Sequence, residues 1–152
     1  MKRLFLVAGI LVSTPALALA QVRITLPARS FGVEDQIHAK IINDGTHAIT
    51  ICVEFGQTSP NNRGSESTPS PFVVQRHSGD RWSTLLIGPD VGSIRRSVEL
   101  GAGKSQEFVF RLKAIGMIRL LLYYWRDSRQ GSPCTFLEKG TKKAFSETFI
   151  VQ

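Results

Sequence analysis

Ile49-Thr50-Ile51-Cys52-Val53-Glu54-Phe55 places an apolar side chain at every second position. Side chains of an extended chain point alternately to its two faces. This stretch therefore reads as a strand with Ile49, Ile51, Val53 and Phe55 in a core and Thr50, Cys52 and Glu54 facing away from it. The same period recurs on both sides. Ile37, Ala39 and Ile41 alternate with His38 and Lys40, and Phe108, Phe110 and Leu112 alternate with Glu107, Val109 and Arg111. Phe72 and Val74 open another run, and Phe145, Phe149 and Val151 belong to the last.

Turn chemistry separates these runs. Asn43-Asp44-Gly45, Ser78-Gly79-Asp80 and Gly101-Ala102-Gly103 are residues that tolerate positive φ. No stretch beyond residue 20 sustains a helical period. The best candidate, 111–126, is interrupted by Gly116 and ends in Tyr123-Tyr124-Trp125, which favour a strand. Residues 117–126 read instead as a central strand buried on both faces, with Ile118, Leu120, Leu122 and Tyr124 on one face. Met117, Arg119, Leu121, Tyr123 and Trp125 lie on the other. The expected strands are 22–26, 36–43, 48–55, 72–77, 81–87, 95–100, 105–112, 117–126 and 143–151. Two irregular segments, 56–70 and 128–141, are rich in Gly, Ser and Pro and read as loops. The fold class expected is an all-β antiparallel sandwich of about seven to nine strands with Greek-key connections. A small closed barrel is the alternative.

The first twenty residues have a different character. Lys2 and Arg3 precede the uncharged run 4–12, and Ala18-Leu19-Ala20 is a small-x-small cleavage pattern with Gln21 after it. These are the three parts of a secretory signal in order, so residues 1–20 are expected to be removed and 21–152 to form one domain. A lipoprotein signal needs a Cys where Gln21 stands, and no later segment has the length and apolarity of a membrane span. Cleavage takes the net charge from +7 to +5, spread along the chain without a run of basic residues, so nucleic acid is not an expected partner. Cys52 and Cys134 would both reach an oxidising compartment, periplasmic or extracellular, where a pair is usually a disulfide. Two buried free thiols are the alternative.

Several patterns resemble the bacterial immunoglobulin-like domains of exported proteins. They are Ile41-x-Asn43-Asp44-Gly45; Phe72-Val73-Val74-Gln75-Arg76 through Ser78-Gly79-Asp80 to Trp82; Leu100-x-x-Gly103-x-Ser105-x-x-Phe108; and Gly116-x-x-Arg119-Leu120. The resemblance implies an immunoglobulin-like sandwich with a binding or structural role. It also implies that the strand bearing Cys52 pairs with 117–126, which pairs in turn with the last strand. The cysteines do not flank a core Trp in the antibody spacing, and Cys52 is on the outward phase. A bridge to Cys134 would therefore lie on the outside of that sheet and hold 128–141 over or beside Tyr123 and Trp125.

No constellation for catalysis or metal binding emerges. His38, His47 and His77 lack the close spacing of metal ligands. There is no G-x-S-x-G elbow and no paired carboxylate motif. No cofactor is expected. Arg95-Arg96 and Lys142-Lys143 are adjacent basic pairs, read as charges that discourage sheet-to-sheet aggregation. The candidate binding face is Leu121, Tyr123 and Trp125, either open to a partner or covered by 128–141 through Phe136 and Leu137. The function expected is that of a non-catalytic binding or structural module of the cell envelope or secretome, engaging a protein or envelope component. A secreted inhibitor of a hydrolase, presenting 56–70 or 128–141, is the second reading, and a small exported enzyme the third.

Overall fold

The alternating runs close into two sheets packed face to face. The computed structural model describes residues 21–55, 69–85, 94–126, 134 and 140–152. The expected signal segment and most of the two expected loops lie outside the described residues. Eleven strands form and no helix is present among the described residues. In chain order they are β1 (Val22–Thr25), β2 (Ser30–Phe31), β3 (Ile37–Asn43), β4 (Ile49–Phe55), β5 (Phe72–Ser78) and β6 (Arg81–Thr84). They continue with β7 (Ile94–Leu100), β8 (Ser105–Phe110), β9 (Gly116–Trp125), β10 (Lys142–Phe145) and β11 (Phe149–Val151).

The small sheet runs β1-β3-β8. The large one is built on β9. Along one edge β9 pairs with β4, at Thr50↔Trp125 and Ile51↔Tyr124, and then with β5 from Phe72↔Leu122 to Arg76↔Ile118. Along the other edge it pairs with β10 and β11. After Ile51, β4 leaves β9 and continues on β7 in unbroken register from Ile49↔Leu100 to Phe55↔Ile94. The strand of Cys52 beside β9, and β9 beside the last strands, is the C-F-G order of an immunoglobulin-like sandwich, and β1-β3-β8 is its A-B-E counterpart. The fold class read from the sequence is the one observed.

The core lies between the sheets. Ile37, Ala39 and Ile41 of β3 face Ile49, Ile51 and Val53 of β4 and the Ile118, Leu120, Leu122 and Tyr124 face of β9, in one buried cluster. Phe72 joins the sheets through Phe108 and Phe110, with ring centroids 5.9 and 5.8 Å apart. These tilted and edge-on contacts are the geometry aromatic quadrupoles favour.

The structure departs from the expected strands in three places. Phe31 and Ser30 add β2, which runs parallel to β11. The single strand expected over 143–151 is broken at Ser146. There the backbone N–H donates to Leu120 O at 2.9 Å. The Ser146 hydroxyl accepts the Leu120 N–H at 2.8 Å and donates to Glu147 O at 2.7 Å, so the Leu120 N–H and the Glu147 carbonyl stay paired where the ladder is interrupted. Third, β9 is buried on both faces only toward its Trp125 end; near its start Met117 is exposed on the outer face.

The turns also divide by mechanism. Gly79 and Gly103 take positive φ, 62° and 68°, as their sequence context implies. Gly45 does not. That turn is organised by the buried Asn43 side chain, whose Oδ1 accepts the Gly45 N–H at 3.1 Å. Its Nδ2 donates to the His47, Leu100 and Gly101 carbonyls at 2.9–3.1 Å.

Candidate functional site

Directly paired residues of neighbouring strands share a face, so the register defines the outer surface of the large sheet. Two regions of that surface contrast. The first is centred on Cys52. Alternation turns Cys52 away from Ile51 and Val53, as its phase predicts, and the disulfide to Cys134 forms with the Cα atoms 5.9 Å apart. That is within the separation a disulfide tolerates. Cys52, Trp125 and Cys134 form an apolar cluster of their own, separate from the main core. Thr50, opposite Trp125, and Ser97, opposite Cys52, are buried there too. At its margin Arg95 Nε donates to Glu54 Oε2 at 3.0 Å.

This arrangement places the three residues expected to form a binding face. Leu121, Tyr123 and Trp125 do lie outside the main core cluster. Leu121 is 3% exposed and Trp125 1%, so neither offers a contact surface; Tyr123 is half-buried, with Lys143 Nζ 5.6 Å from its ring. The residues around Cys134 that were expected to provide cover, Phe136 and Leu137 among them, lie outside the described residues.

The second region is at the other end of β9, around Arg119. Gln75 of β5 stands opposite Arg119, Trp82 of β6 stands opposite His77, and Ile150 of β11 stands opposite Met117. Phe145 of β10 is one step along, opposite Leu121. The Arg119 guanidinium carbon lies 4.2 Å from the Trp82 ring centroid and 4.4 Å from that of Phe145, placing a cation against two aromatic rings. Its Nε donates to Gln75 Oε1 at 2.8 Å. His77 leans on Trp82 with centroids 4.9 Å apart. Partial burial lowers the Arg119 pKa, yet a guanidinium stays charged at any physiological pH. Met117, Phe145 and Ile150, all beside this cation, are 44%, 46% and 45% exposed. The strands β5, β6, β9, β10 and β11 contain no Asp or Glu.

The small sheet provides a reference. Its outward positions are mainly polar, Arg23, Thr25, His38, Lys40, Ser105 and Glu107, with Ile42 and Val109 half-buried among them, as expected where an antiparallel sheet meets water. An apolar and aromatic outer face on the large sheet is a departure from that pattern. Sequence reading placed Met117 and Arg119 on the outward phase but did not bring Gln75, Trp82, Phe145 or Ile150 to them. Only the pairing of five strands does so.

The remaining candidates stay apart. His38 lies on β3, 3.5 Å from Glu107 of β8, while His47 is in a turn and His77 on β5. Among the described residues no group of three His, Cys, Asp or Glu side chains is placed to hold a metal. Arg95 is committed to Glu54, and Arg96 is exposed on β7, which ends the sheet among the described residues. An open groove beside the Ile24↔Ser146 bridge is lined by residues of both strands there, but its Arg23 is engaged by Asp44. No described helix is long and apolar enough to cross a membrane.

No family model matches the chain, and no curated protein matches it. Among solved structures the chain is similar to the Salmonella enterica SafA pilin in complex with the SafB chaperone, at 11% identity and a TM-score of 0.35. That likeness covers 86% of this chain and 56% of that one, so the chain spans little more than half its length. The chain is also similar to the ASH / PapD-like domain 7 of human CEP192, at 11% identity and a TM-score of 0.30, covering 95% of this chain and 98% of that one.

Proposed function

We propose that this chain is an exported, non-catalytic immunoglobulin-like module of the cell envelope or secretome that holds a protein partner on the outer face of its large sheet. The observation that carries this reading is the cluster of Met117, Phe145 and Ile150, each nearly half exposed, around the stacked Arg119. Aromatic residues, Met and Arg are the types enriched at the centres of protein interfaces. Contiguous exposed apolar surface on a folded domain marks an interaction site more often than an accident of packing. The export part of the reading is supported by the three-part signal of residues 1–20 and by the Cys52–Cys134 disulfide, a bond that persists in oxidising compartments. Of the binding face expected from sequence, Tyr123 borders this region, and the centre of the proposed face moves toward Met117 and Arg119.

Recovery of partners from envelope extract, with the exported protein and its Met117→Asp variant as paired baits, tests the reading. The proposal expects a protein retained at near-stoichiometric yield by the wild type and lost with the variant. Identical recovery by both baits contradicts it. The inhibitor reading depends on 56–70 and 128–141, which fall largely outside the described residues.

A further inference from the structure

We infer that the Arg119 site is a receptor for a carboxylate carried on an otherwise apolar polypeptide segment, so that the partner presents an Asp or Glu side chain between hydrophobic ones. The inference rests on the proposed binding role and specifies its chemistry. Trp82 and Phe145 hold the guanidinium and Gln75 Oε1 takes its Nε–H, which fixes the plane of the group. A guanidinium oriented in this way offers its terminal N–H edge as a planar fork, the geometry that matches a carboxylate bidentately. Such a site has already lost the side-chain freedom that a mobile surface arginine must give up on binding.

The charge of the surroundings points the same way. The five strands carrying this face contain no carboxylate to compete for Arg119, and the two in their described connections, Asp80 and Glu147, lie against Arg81 and Arg29. The neutral Gln75 is the partner of its Nε. Anionic polymers are a poorer match. Nucleic acid and sulfated glycans are held by series of cations spaced along a backbone. On the five described strands, register places one other Lys or Arg on this face, Lys143, which lies over Tyr123. Met117 and Ile150, exposed and aliphatic, ask for an apolar neighbour that neither polymer provides along its charged backbone.

Three end-capped peptides with one Leu- and Phe-containing frame and Glu, Gln or Lys at the central position test the inference. They are titrated into the exported protein and followed by NMR. The expected result is that the Glu peptide binds at least about tenfold more tightly than the Gln peptide, while the Lys peptide does not bind. Arg119→Gln should remove the Glu-over-Gln preference. Because loss of a stacked residue can disturb folding, Gln75→Glu is the second variant: it keeps Arg119 but supplies an internal carboxylate, and should remove the same preference. Equal binding of the Glu and Gln peptides, or no binding of the Glu peptide at millimolar concentration, overturns the carboxylate assignment. Displacement of the Glu peptide by inorganic phosphate or a sulfated glycan at equal charge also overturns it. If the partner from envelope extract is still lost with Met117→Asp in those cases, the binding face stands and only its chemistry is wrong.

Discussion

The two ends of β9 present opposite solutions to the same problem. A central strand with apolar side chains on both phases must cover its second face. At the Trp125 end the chain does this itself: Cys52 and Cys134 close a bridge across 82 residues of sequence and enclose the indole. At the Met117 end no such closure is seen among the described residues. The outer side chains lean on one another instead, with Arg119 against Trp82 and Phe145, and leave Met117 and Ile150 open. Burial at the first end makes it a stability element. Exposure at the second leaves its apolar area available to a partner, since surface already buried in the fold adds nothing on binding.

That division can be broken most forcefully at Trp125. Trp125→Ala removes a fully buried indole and should cost about 3–5 kcal/mol in denaturant unfolding. Trp82→Ala, on the open region, should cost about 1 kcal/mol or less. Comparable losses at the two sites would erase the contrast. The double substitution Cys52→Ala/Cys134→Ala should lower stability by about 2–4 kcal/mol, because the bridge restrains a long loop of the unfolded chain. Reduction of the native protein followed by urea unfolding checks the same quantity.

Ser146 separates the strand bearing Phe145 from the strand bearing Ile150, and so sets how the two flank Arg119. Ser146→Ala leaves the buried Leu120 N–H without its hydroxyl acceptor and should cost about 1–3 kcal/mol. NMR shift changes from that variant should spread over Phe145 and Ile150 and leave Trp125 unmoved. The smallest stability effect belongs to the open face itself. Met117→Asp and Ile150→Asp should change unfolding free energy by only about 0.5 kcal/mol. Their effect should appear in partner recovery alone, and a large loss of stability would mean that this surface is part of the core.

Local alternation made much of this fold readable. The phase of Ile49, Ile51 and Val53 against Cys52 located both the core and the outer disulfide, because a side chain's face follows from its position along the strand. The two faces of β9 were readable for the same reason. Exposure was not, since it depends on what lies above the strand. Met117 and Trp125 share a phase and differ completely in burial. The break at Ser146 carries no Gly or Pro to announce it, because a hydroxyl repairs the ladder there. The turn at Gly45 looked like a left-handed glycine, but the Asn43 side chain shapes it through carbonyls 57 and 58 residues away. The Arg119 site was the least legible, since its members come from five strands joined only by register.

The chain contains two tryptophans, one in each region, which allows the central claim to be read directly. Exported protein labelled with 5-fluorotryptophan should give two fluorine resonances, assigned through Trp82→Phe. In the oxidised protein the Trp82 resonance should shift between water and heavy water while that of Trp125 does not. Reduction of the disulfide should make Trp125 solvent-sensitive and leave Trp82 unchanged. A solvent-sensitive Trp125 with the disulfide intact, or a Trp82 as protected as Trp125, would contradict the division of this sheet into a sealed region and an open one.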